Sequence, residues 1–127
     1  MNIIMGIDIY ATWRGQRDDQ TMAQGSAWLS ILGGKVGYLR EAYHGEPYAT
    51  RFLCPEAFQE NGARIPAAIL NERLPETLRL VEERERTLYH SGAKEIEAAK
   101  QDFRDFVTLC ERKEKETGEP VLVTAWY

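Results

Sequence analysis

Residues 2–13 read NIIMGIDIYATW, a stretch in which apolar and polar side chains alternate. One set of alternate positions carries Ile3, Met5, Ile7, Ile9, Ala11 and Trp13, and the other carries Asn2, Asp8, Tyr10 and Thr12. Period-two alternation over this length is typical of a strand with one face on a hydrophobic core and the other in solvent. The stretch therefore predicts a half-buried strand whose polar face continues to Arg14.

The next part of the chain predicts a loop and a hairpin. Residues 14–21 are polar and show no period, which is typical of a surface loop of the kind that often carries function. Residues 27–32 and 35–40 are strand-like and flank two glycines at 33–34. Because paired glycines tolerate the positive backbone angles of a tight type I' turn, we expect two paired strands here.

The stretch at residues 37–52, GYLREAYHGEPYATRF, is rich in tyrosine and arginine. Its pattern predicts one strand to about Tyr43, a turn over residues 44–47 and a return strand over residues 48–53. Together with the preceding hairpin, it predicts an antiparallel meander in the middle of the protein.

The second half of the chain predicts helices. Prolines are tolerated in the first helical turn, so Pro55 predicts a short helix, Pro66 a short apolar turn through Leu70, and Pro75 a further helix. The last of these is expected to begin a long helix. Apolar residues recur at helical spacing over residues 74–88 and 96–110, and Ser91-Gly92 predicts the stop and turn between them.

Residues 121–127, VLVTAWY, are β-branched and aromatic and predict a strand docked beside the first strand, since a frayed tail would leave Trp126 in water. The sequence therefore predicts a single domain over residues 1–127. Its expected fold class is α+β: an antiparallel sheet of four or five strands, packed on one face by a long helical hairpin, with the C-terminal strand returning to the sheet.

The composition is typical of a folded globular protein, with 43% hydrophobic and 28% charged residues. The net charge of -4 offers phosphates no overall attraction and disfavours a nucleic-acid partner. No apolar run approaches the roughly 20 residues of a membrane-spanning helix. The first residues lack the basic region of a secretory signal. We expect a cytoplasmic protein with no membrane partner.

Metal and cofactor sites are not indicated. The chain has 2 cysteines and 2 histidines, and their spacing matches no zinc motif. Glu41 and His44 have the Glu-x-x-His spacing of di-iron helices, but this stretch indicates strand and turn, and the sequence holds no second copy of the motif. We therefore expect no metal and no cofactor, and we interpret His44 as a solvated turn residue.

Cys54 raises another possibility because Pro55 follows it. A cysteine at a helix N-terminus has a lowered thiol pKa and can act as a nucleophile, for which His44 would be the base. The intervening strand and turn would hold the two side chains apart. We therefore interpret Cys54 as a small buried residue and Cys110 as part of a helical core stripe.

The candidate binding site consists of polar residues that the predicted sheet brings towards its open face. The candidates are Asp8, Tyr10, Arg14, Arg40, Glu41, Tyr43, His44, Tyr48 and Arg51. Arginine and tyrosine are enriched at interface hot spots. The leading hypothesis is a small binding or accessory protein that engages an unknown protein partner or associates with itself through this face. No catalytic residue is assigned.

Two alternatives remain. The first is a small-ligand-binding protein or an enzyme whose polar cleft is formed by Asp8, Tyr10, Arg40, Glu41, His44 and Arg51. In an enzyme of this kind Glu41 or Asp8 would act as base and His44 as acid, while the arginines would hold an anionic substrate. The second is a local nucleic-acid contact, which the acidic total disfavours, through Arg14, Arg17, Arg40 and Arg51.

Two segments carry a resemblance to other proteins. Residues 5–10, MGIDIY, with Trp13 and the Gly-Gln pair that follows, and residues 37–45, GYLREAYHG, resemble segments of small bacterial and phage proteins of uncharacterised function. The resemblance implies no activity, cofactor or site residue.

Overall fold

A computed structural model describes residues 6–27 and 33–127 of the chain. The strands are β1 (Gly6–Thr12), β2 (Tyr38–Ala42), β3 (Ala63–Ile65) and β4 (Val121–Trp126). The α-helices are α1 (Asp18–Ser26), α2 (Ala49–Leu53), α3 (Ala67–Thr87) and α4 (Ala93–Thr117). The predicted α+β class is confirmed: the long helices pack on a four-stranded antiparallel sheet, and the C-terminal strand joins that sheet.

The sheet has the order β2-β1-β4-β3, and each neighbouring pair is antiparallel. Strand β1 pairs with β2 on one side and with the C-terminal strand on the other, and the sequence predicts the second of these pairings. Its alternation is also confirmed, because Ile7, Ile9 and Ala11 are buried while the side chains between them point to the other face. The part of the predicted strand before Gly6 lies outside the described residues.

The hairpin of α3 and α4 covers the apolar face of the sheet. The predicted apolar stripes supply the core, in which Val81 of α3 and Phe103 and Phe106 of α4 are no more than 1% exposed and pack with Ile9 of β1. Burying a side chain of this size contributes about 1.5–3 kcal/mol. The long helices therefore decide which face of the sheet is covered.

Residues 14–17 form part of the loop that the sequence predicts, but residues 18–21 do not, because α1 begins at Asp18. The amide of Arg17 donates to Oε1 of Gln20 at 2.8 Å. Asp18 and Asp19 place negative charge in the first turn, where the helix dipole favours it. These polar contacts start a helix in a segment that reads as a loop.

Helix α1 is attached to the sheet by a polar side chain. Gln24 is 4% exposed, and its Nε2 donates to the carbonyl oxygens of Ala11 at 2.6 Å and Gly37 at 3.3 Å. Its Oε1 accepts a hydrogen bond from Gln16 at 3.0 Å. A helix held in this way needs no apolar stripe, so hydrophobic periodicity could not reveal it.

The glycines at 33–34 serve a close helix contact and not a type I' turn. A 3₁₀ turn over Gly34–Val36 packs on α4, and the amide of Gly34 donates to Oδ1 of Asp102 at 2.5 Å. A Cβ atom at Gly34 would lie 1.9 Å from the carbonyl oxygen of Asp102, so this approach requires glycine. Residues 28–32, most of the first predicted hairpin strand, lie outside the described residues.

The predicted return strand over residues 48–53 is wrong, because this segment forms α2 and the meander does not continue. The amides of Ala49 and Thr50 donate to the carboxylate of Glu41, and Leu53 becomes fully buried. A short segment of mixed polarity is compatible with either strand or helix. Here the carboxylate that accepts the first amides decides in favour of the helix.

The short turn predicted from Pro66 and the long helix predicted from Pro75 are one helix, α3, which starts at Ala67. Pro75 therefore lies inside the helix, where it removes an amide donor at a cost of about 3 kcal/mol. On either side of it, Leu70 and Thr77 are fully buried. Continuous packing of α3 against the core offsets the cost of the interior proline.

The predicted helical hairpin is confirmed, but its turn differs in detail. Helix α3 ends at Thr87, and His90 in the turn has a φ angle of 51°. Gly92 is the residue directly before α4 and not the C-terminal stop of α3. The glycine thus begins the second helix rather than ending the first.

Candidate functional site

Polar side chains form two separate groups, on opposite faces of the sheet. The first group lies on the face opposite α3 and α4, here called the polar face: Asp8, Tyr10 and Thr12 of β1, Tyr38 and Arg40 of β2, and Thr124 and Trp126 of β4. Directly opposed residues of antiparallel strands share a face. Asp8 therefore lies between Arg40 on one side and Trp126 on the other.

Asp8 is the main hydrogen-bond acceptor of the polar face. Its Oδ1 accepts from Nη1 of Arg40 at 2.6 Å and from the hydroxyl of Tyr38 at 2.5 Å. Burial, followed by the hydrogen bond to Asp8, raises the pKa of Tyr38 well above its ordinary value, so this hydroxyl remains a neutral donor. The ring of Tyr10 packs on that of Tyr38, with 5.2 Å between centroids. Two packed tyrosine rings thus lie beside the ion pair of Asp8 and Arg40.

Trp126 departs from the sequence-based expectation. The C-terminal strand docks on β1, but 61% of the Trp126 side chain is exposed because the alternation of β4 directs it to the polar face. A groove of about 440 Å³ beside it is lined by Tyr10, Thr12, Thr21, Gln24, Gly25, Thr124 and Trp126. Aromatic walls with a few hydroxyl groups are typical of binding sites.

The second group lies on the covered face and is centred on Glu41, whose side chain is 1% exposed. Its carboxylate accepts hydrogen bonds from the Ala49 amide at 3.0 Å, the Thr50 amide at 2.9 Å, the Thr50 hydroxyl at 2.7 Å, His44 Nε2 at 2.8 Å and Arg84 Nη1 at 2.9 Å. We call Glu41, His44, Thr50 and Arg84 the Glu41 cluster. Burial of a carboxylate requires such partners, and here they come from α2, from α3 and from the loop that joins β2 to α2.

Two opposing effects set the pKa of Glu41. Burial is the largest single effect and raises it, but hydrogen bonds from Thr50 and His44 and the charge of Arg84 together lower the pKa below its ordinary value. The carboxylate is therefore ionised at neutral pH and only accepts hydrogen bonds. It follows that Nε2 of His44 carries the proton of their contact.

His44 and Arg84 form the floor of a cleft of about 220 Å³ between the loop of residues 44–47 and the C-terminal part of α3. We call it the His44 cleft. The side chain of His44 is 7% exposed, and its ring packs on Tyr48 with 4.7 Å between centroids. The side chain of Arg84 is 11% exposed, and its Nε donates to Glu85 at 3.3 Å. His44 is therefore not the solvated turn residue that the sequence suggests.

The structure divides the predicted site residues. Asp8, Tyr10 and Arg40 lie together on the polar face, whereas Glu41 and His44 lie together on the covered face. Arg40 and Glu41 are consecutive in β2, so strand alternation directs them to opposite sides. A single cleft containing all of these residues does not form, and the acid and base pairing of Asp8 with His44 has no geometric basis.

Three of the other predicted residues lie outside both groups. The guanidinium of Arg51 lies 4.3 Å from the ring centroid of Phe58, because α2 carries it away from the polar face. Arg14 donates a hydrogen bond to the carbonyl oxygen of Thr117 at the end of α4. Tyr43 follows β2 and is 51% exposed. These arginines form no common surface with Arg40.

Cys54 is not an activated thiol. It is fully buried at the end of α2, where its Sγ donates to the carbonyl oxygen of Thr50 at 3.3 Å. Burial raises its pKa, and burial also raises the pKa of Cys110 to about 12. Both are core residues, as interpreted from the sequence. Among residues 6–27 and 33–127, no group of three or more histidine, cysteine or acidic side chains is placed to hold a metal ion.

Sequence reasoning missed Arg84 and Tyr38. Arg84 lies in the charged run EERER, where its spacing does not distinguish it from its neighbours, and its partner Glu41 is 43 positions away. Tyr38 shares the alternation of Arg40 and could have been identified from that signal. Only the fold brings Arg84 to its partner.

Comparisons with protein-family models, curated proteins and solved structures find no match to this chain. The resemblance of residues 5–10 and 37–45 to bacterial and phage proteins therefore stays a prediction. In the part of the chain that the structure describes, no helix combines the length and the apolar character needed to cross a membrane. The polar face and the His44 cleft are the features from which function can be argued.

Proposed function

We propose that this protein is a small cytoplasmic binding protein that engages another protein chain, either a partner or a second copy of itself, through the polar face. The observation that carries the proposal is the 61% exposed indole of Trp126 beside the ion pair of Asp8 and Arg40. Tryptophan, tyrosine and arginine dominate interface hot spots because they combine large contact areas with directed hydrogen bonds. A protein partner would bury this indole.

The groove beside Trp126 supports the same function. Tyr10 and Trp126 give it aromatic surface, and Thr12 and Thr124 add hydroxyl groups. A side chain that projects from a partner would find both apolar contact and hydrogen-bonding groups there. We expect binding without turnover, since the carboxylate of Asp8 is already engaged by its neighbours.

Site-specific crosslinking tests the proposal. The photoreactive residue benzoylphenylalanine replaces Thr124 on the polar face or, as a matched control, Lys94 on the exposed first turn of α4. Irradiation of the full chain, both purified and in the cells of its source, should give a defined crosslinked species from position 124 and none from position 94. A species of twice the chain mass identifies a second copy, and any other mass identifies a partner.

Alanine variants sharpen the assignment. Trp126→Ala and Arg40→Ala should remove the crosslinked species that forms at position 124 while preserving the cooperative unfolding transition. Arg86→Ala serves as the control, because it disrupts a surface pair with Glu82 on α3. If no species is specific to position 124, or if all three variants crosslink equally, the polar face is not the interface.

A further inference from the structure

The imidazole of His44 lines the His44 cleft. Its Nε2 donates to Glu41 at 2.8 Å, and only 7% of the side chain is exposed. Its Nδ1 has no hydrogen-bond partner among the described residues, although the ring lines the cleft. Because Glu41 and the ring of Tyr48 fix the orientation of the imidazole, Nδ1 is held in place before a ligand arrives.

Arg84 adds a hydrogen-bond donor to the same floor. Its Nη1 and Nε donate to Glu41 and Glu85, while Nη2 has no partner in residues 6–27 and 33–127. The guanidinium also lies 5.7 Å from the ring centroid of Phe103, which restricts its movement. His44 and Arg84 bind the same oxygen of Glu41, so the two side chains converge on one atom.

The charges around the cleft favour a neutral ligand. Glu46 and Glu83 line it, Glu83 being paired with Arg79, and Glu85 lies next to Arg84. These carboxylates disfavour an anion, while the guanidinium of Arg84 on the floor disfavours a cation. A hydroxyl group avoids both penalties, because it donates to Nδ1 or to a carboxylate and accepts from Nη2.

The rest of the cleft suits the carbon skeleton of such a ligand. Leu80, Leu88 and Pro47 provide apolar surface, and the volume of about 220 Å³ suits a molecule with one small ring. We infer that the His44 cleft is a binding site for a small neutral polyhydroxyl compound of the monosaccharide class. This site is separate from the polar face and does not depend on the function proposed for that face.

The chain contains 2 histidines, which makes isotope labelling of histidine a direct test. His90 lies exposed in the turn between α3 and α4 and is an internal control. In the full chain labelled with ¹⁵N-histidine, titration with D-ribose or D-glucose should shift the Nδ1 resonance of His44 to saturation and leave His90 unchanged. Inorganic phosphate and ethylammonium chloride, at matched ionic strength, should shift neither residue.

Variants that fill the cleft show whether the response arises there. Thr87 and Leu88 are exposed residues at the end of α3 that line the cleft, so Thr87→Trp and Leu88→Trp each place an indole in it without replacing a member of the Glu41 cluster. Each should keep the His44 Nε2–H signal and lower sugar affinity at least ~10-fold. His90→Gln should bind as the unchanged chain does.

Three outcomes would overturn the inference. The first is the absence of a saturable shift with either sugar. The second is a saturable shift of His44 with phosphate or ethylammonium, since the ligand would then be charged. The third is a sugar response that survives both Thr87→Trp and Leu88→Trp, because binding would then occur elsewhere on the protein.

Discussion

Asp8 on β1 and Glu41 on β2 are carboxylates of the same sheet, and each accepts a hydrogen bond from an arginine. The partner of Asp8, Arg40, is 39% exposed, whereas the partner of Glu41, Arg84, is 11% exposed. An exposed ion pair contributes about 0–1 kcal/mol, and breaking a buried one costs about 3–5 kcal/mol. The same residue types therefore stabilise the fold strongly at one site and only weakly at the other.

The difference between the two sites arises from a single step along β2. Arg40 and Glu41 are neighbours in the chain, and the pleat of the strand directs one to the polar face and the other to the covered face. On the covered face, Glu41 accepts hydrogen bonds from α2 and α3 as well as from His44. The buried carboxylate of Glu41 thus connects several elements of the fold.

Among the substitutions that compare the two carboxylates, Glu41→Gln should lower the free energy of unfolding most. The amide keeps the size of the side chain but removes the negative charge that Arg84 and His44 share. We expect the free energy of unfolding to fall by about 3–5 kcal/mol in urea denaturation near neutral pH. The matched variant Asp8→Asn should cost no more than about 1 kcal/mol. Equal losses would contradict the distinction between the two carboxylates.

Arg84→Met should cause the second-largest loss in the free energy of unfolding. Methionine retains much of the aliphatic volume and removes the charge, so Glu41 keeps its other donors but loses its cationic partner. We expect a loss of about 2–3 kcal/mol in the free energy of unfolding, measured by calorimetry. Arg40→Met, the counterpart on the polar face, should lose about 0–1 kcal/mol. If the two arginine variants are equally stable, the buried pair is not the stronger one.

Tyr38→Phe tests how much the hydrogen bond between Tyr38 and Asp8 on the polar face contributes to stability. It removes the hydroxyl that donates to Asp8 at 2.5 Å but leaves the ring and the ion pair with Arg40 in place. We expect the free energy of unfolding, measured by denaturant titration, to fall by about 1 kcal/mol, which is the net contribution of one hydrogen bond. A loss as large as that of Glu41→Gln would show that Asp8 is also structural.

Acid titration is the mildest test, since it protonates Glu41 without replacing it. Its pKa lies below the ordinary value, so its contribution is complete above the pKa of an unfolded glutamate, roughly 4.3, and is lost as pH falls through the folded value. At about pH 5, where Glu41 is ionised in both the folded and the unfolded state, its contribution to the stability difference between the unchanged chain and Glu41→Gln should be complete. It should shrink below about pH 4, and a difference that persists undiminished to about pH 3 would contradict the assignment.

The patterns of apolar residues in the sequence were sufficient to predict the elements that apolar packing stabilises. The alternation around Ile7 and Ile9 predicted β1, and the helical spacing through Phe103 and Phe106 predicted α4. In each case burial of one face requires a repeat in the chain, and that repeat is visible without the structure. The β-branched and aromatic composition of residues 121–127 predicted the C-terminal strand that joins β1.

Polar contacts account for the elements that were predicted incorrectly. Helix α1 is held by Gln24, and α2 starts where Glu41 accepts the amides of Ala49 and Thr50. A single polar side chain leaves no repeat in the sequence, so these helices could not be separated from a loop or a strand. The close approach of Gly34 to α4 was hidden for the same reason.

The sequence by itself determined the fold class, the polar character of alternate β1 positions and the residue types that could form a site. Only the tertiary structure decided which of them meet: Asp8 with Arg40 on one face, and Glu41 with His44 and Arg84 on the other. The physical reason is that periodicity is a local property, recorded along the chain. Hydrogen bonds between distant residues depend on which helix covers which face, and that follows from burial of the whole core.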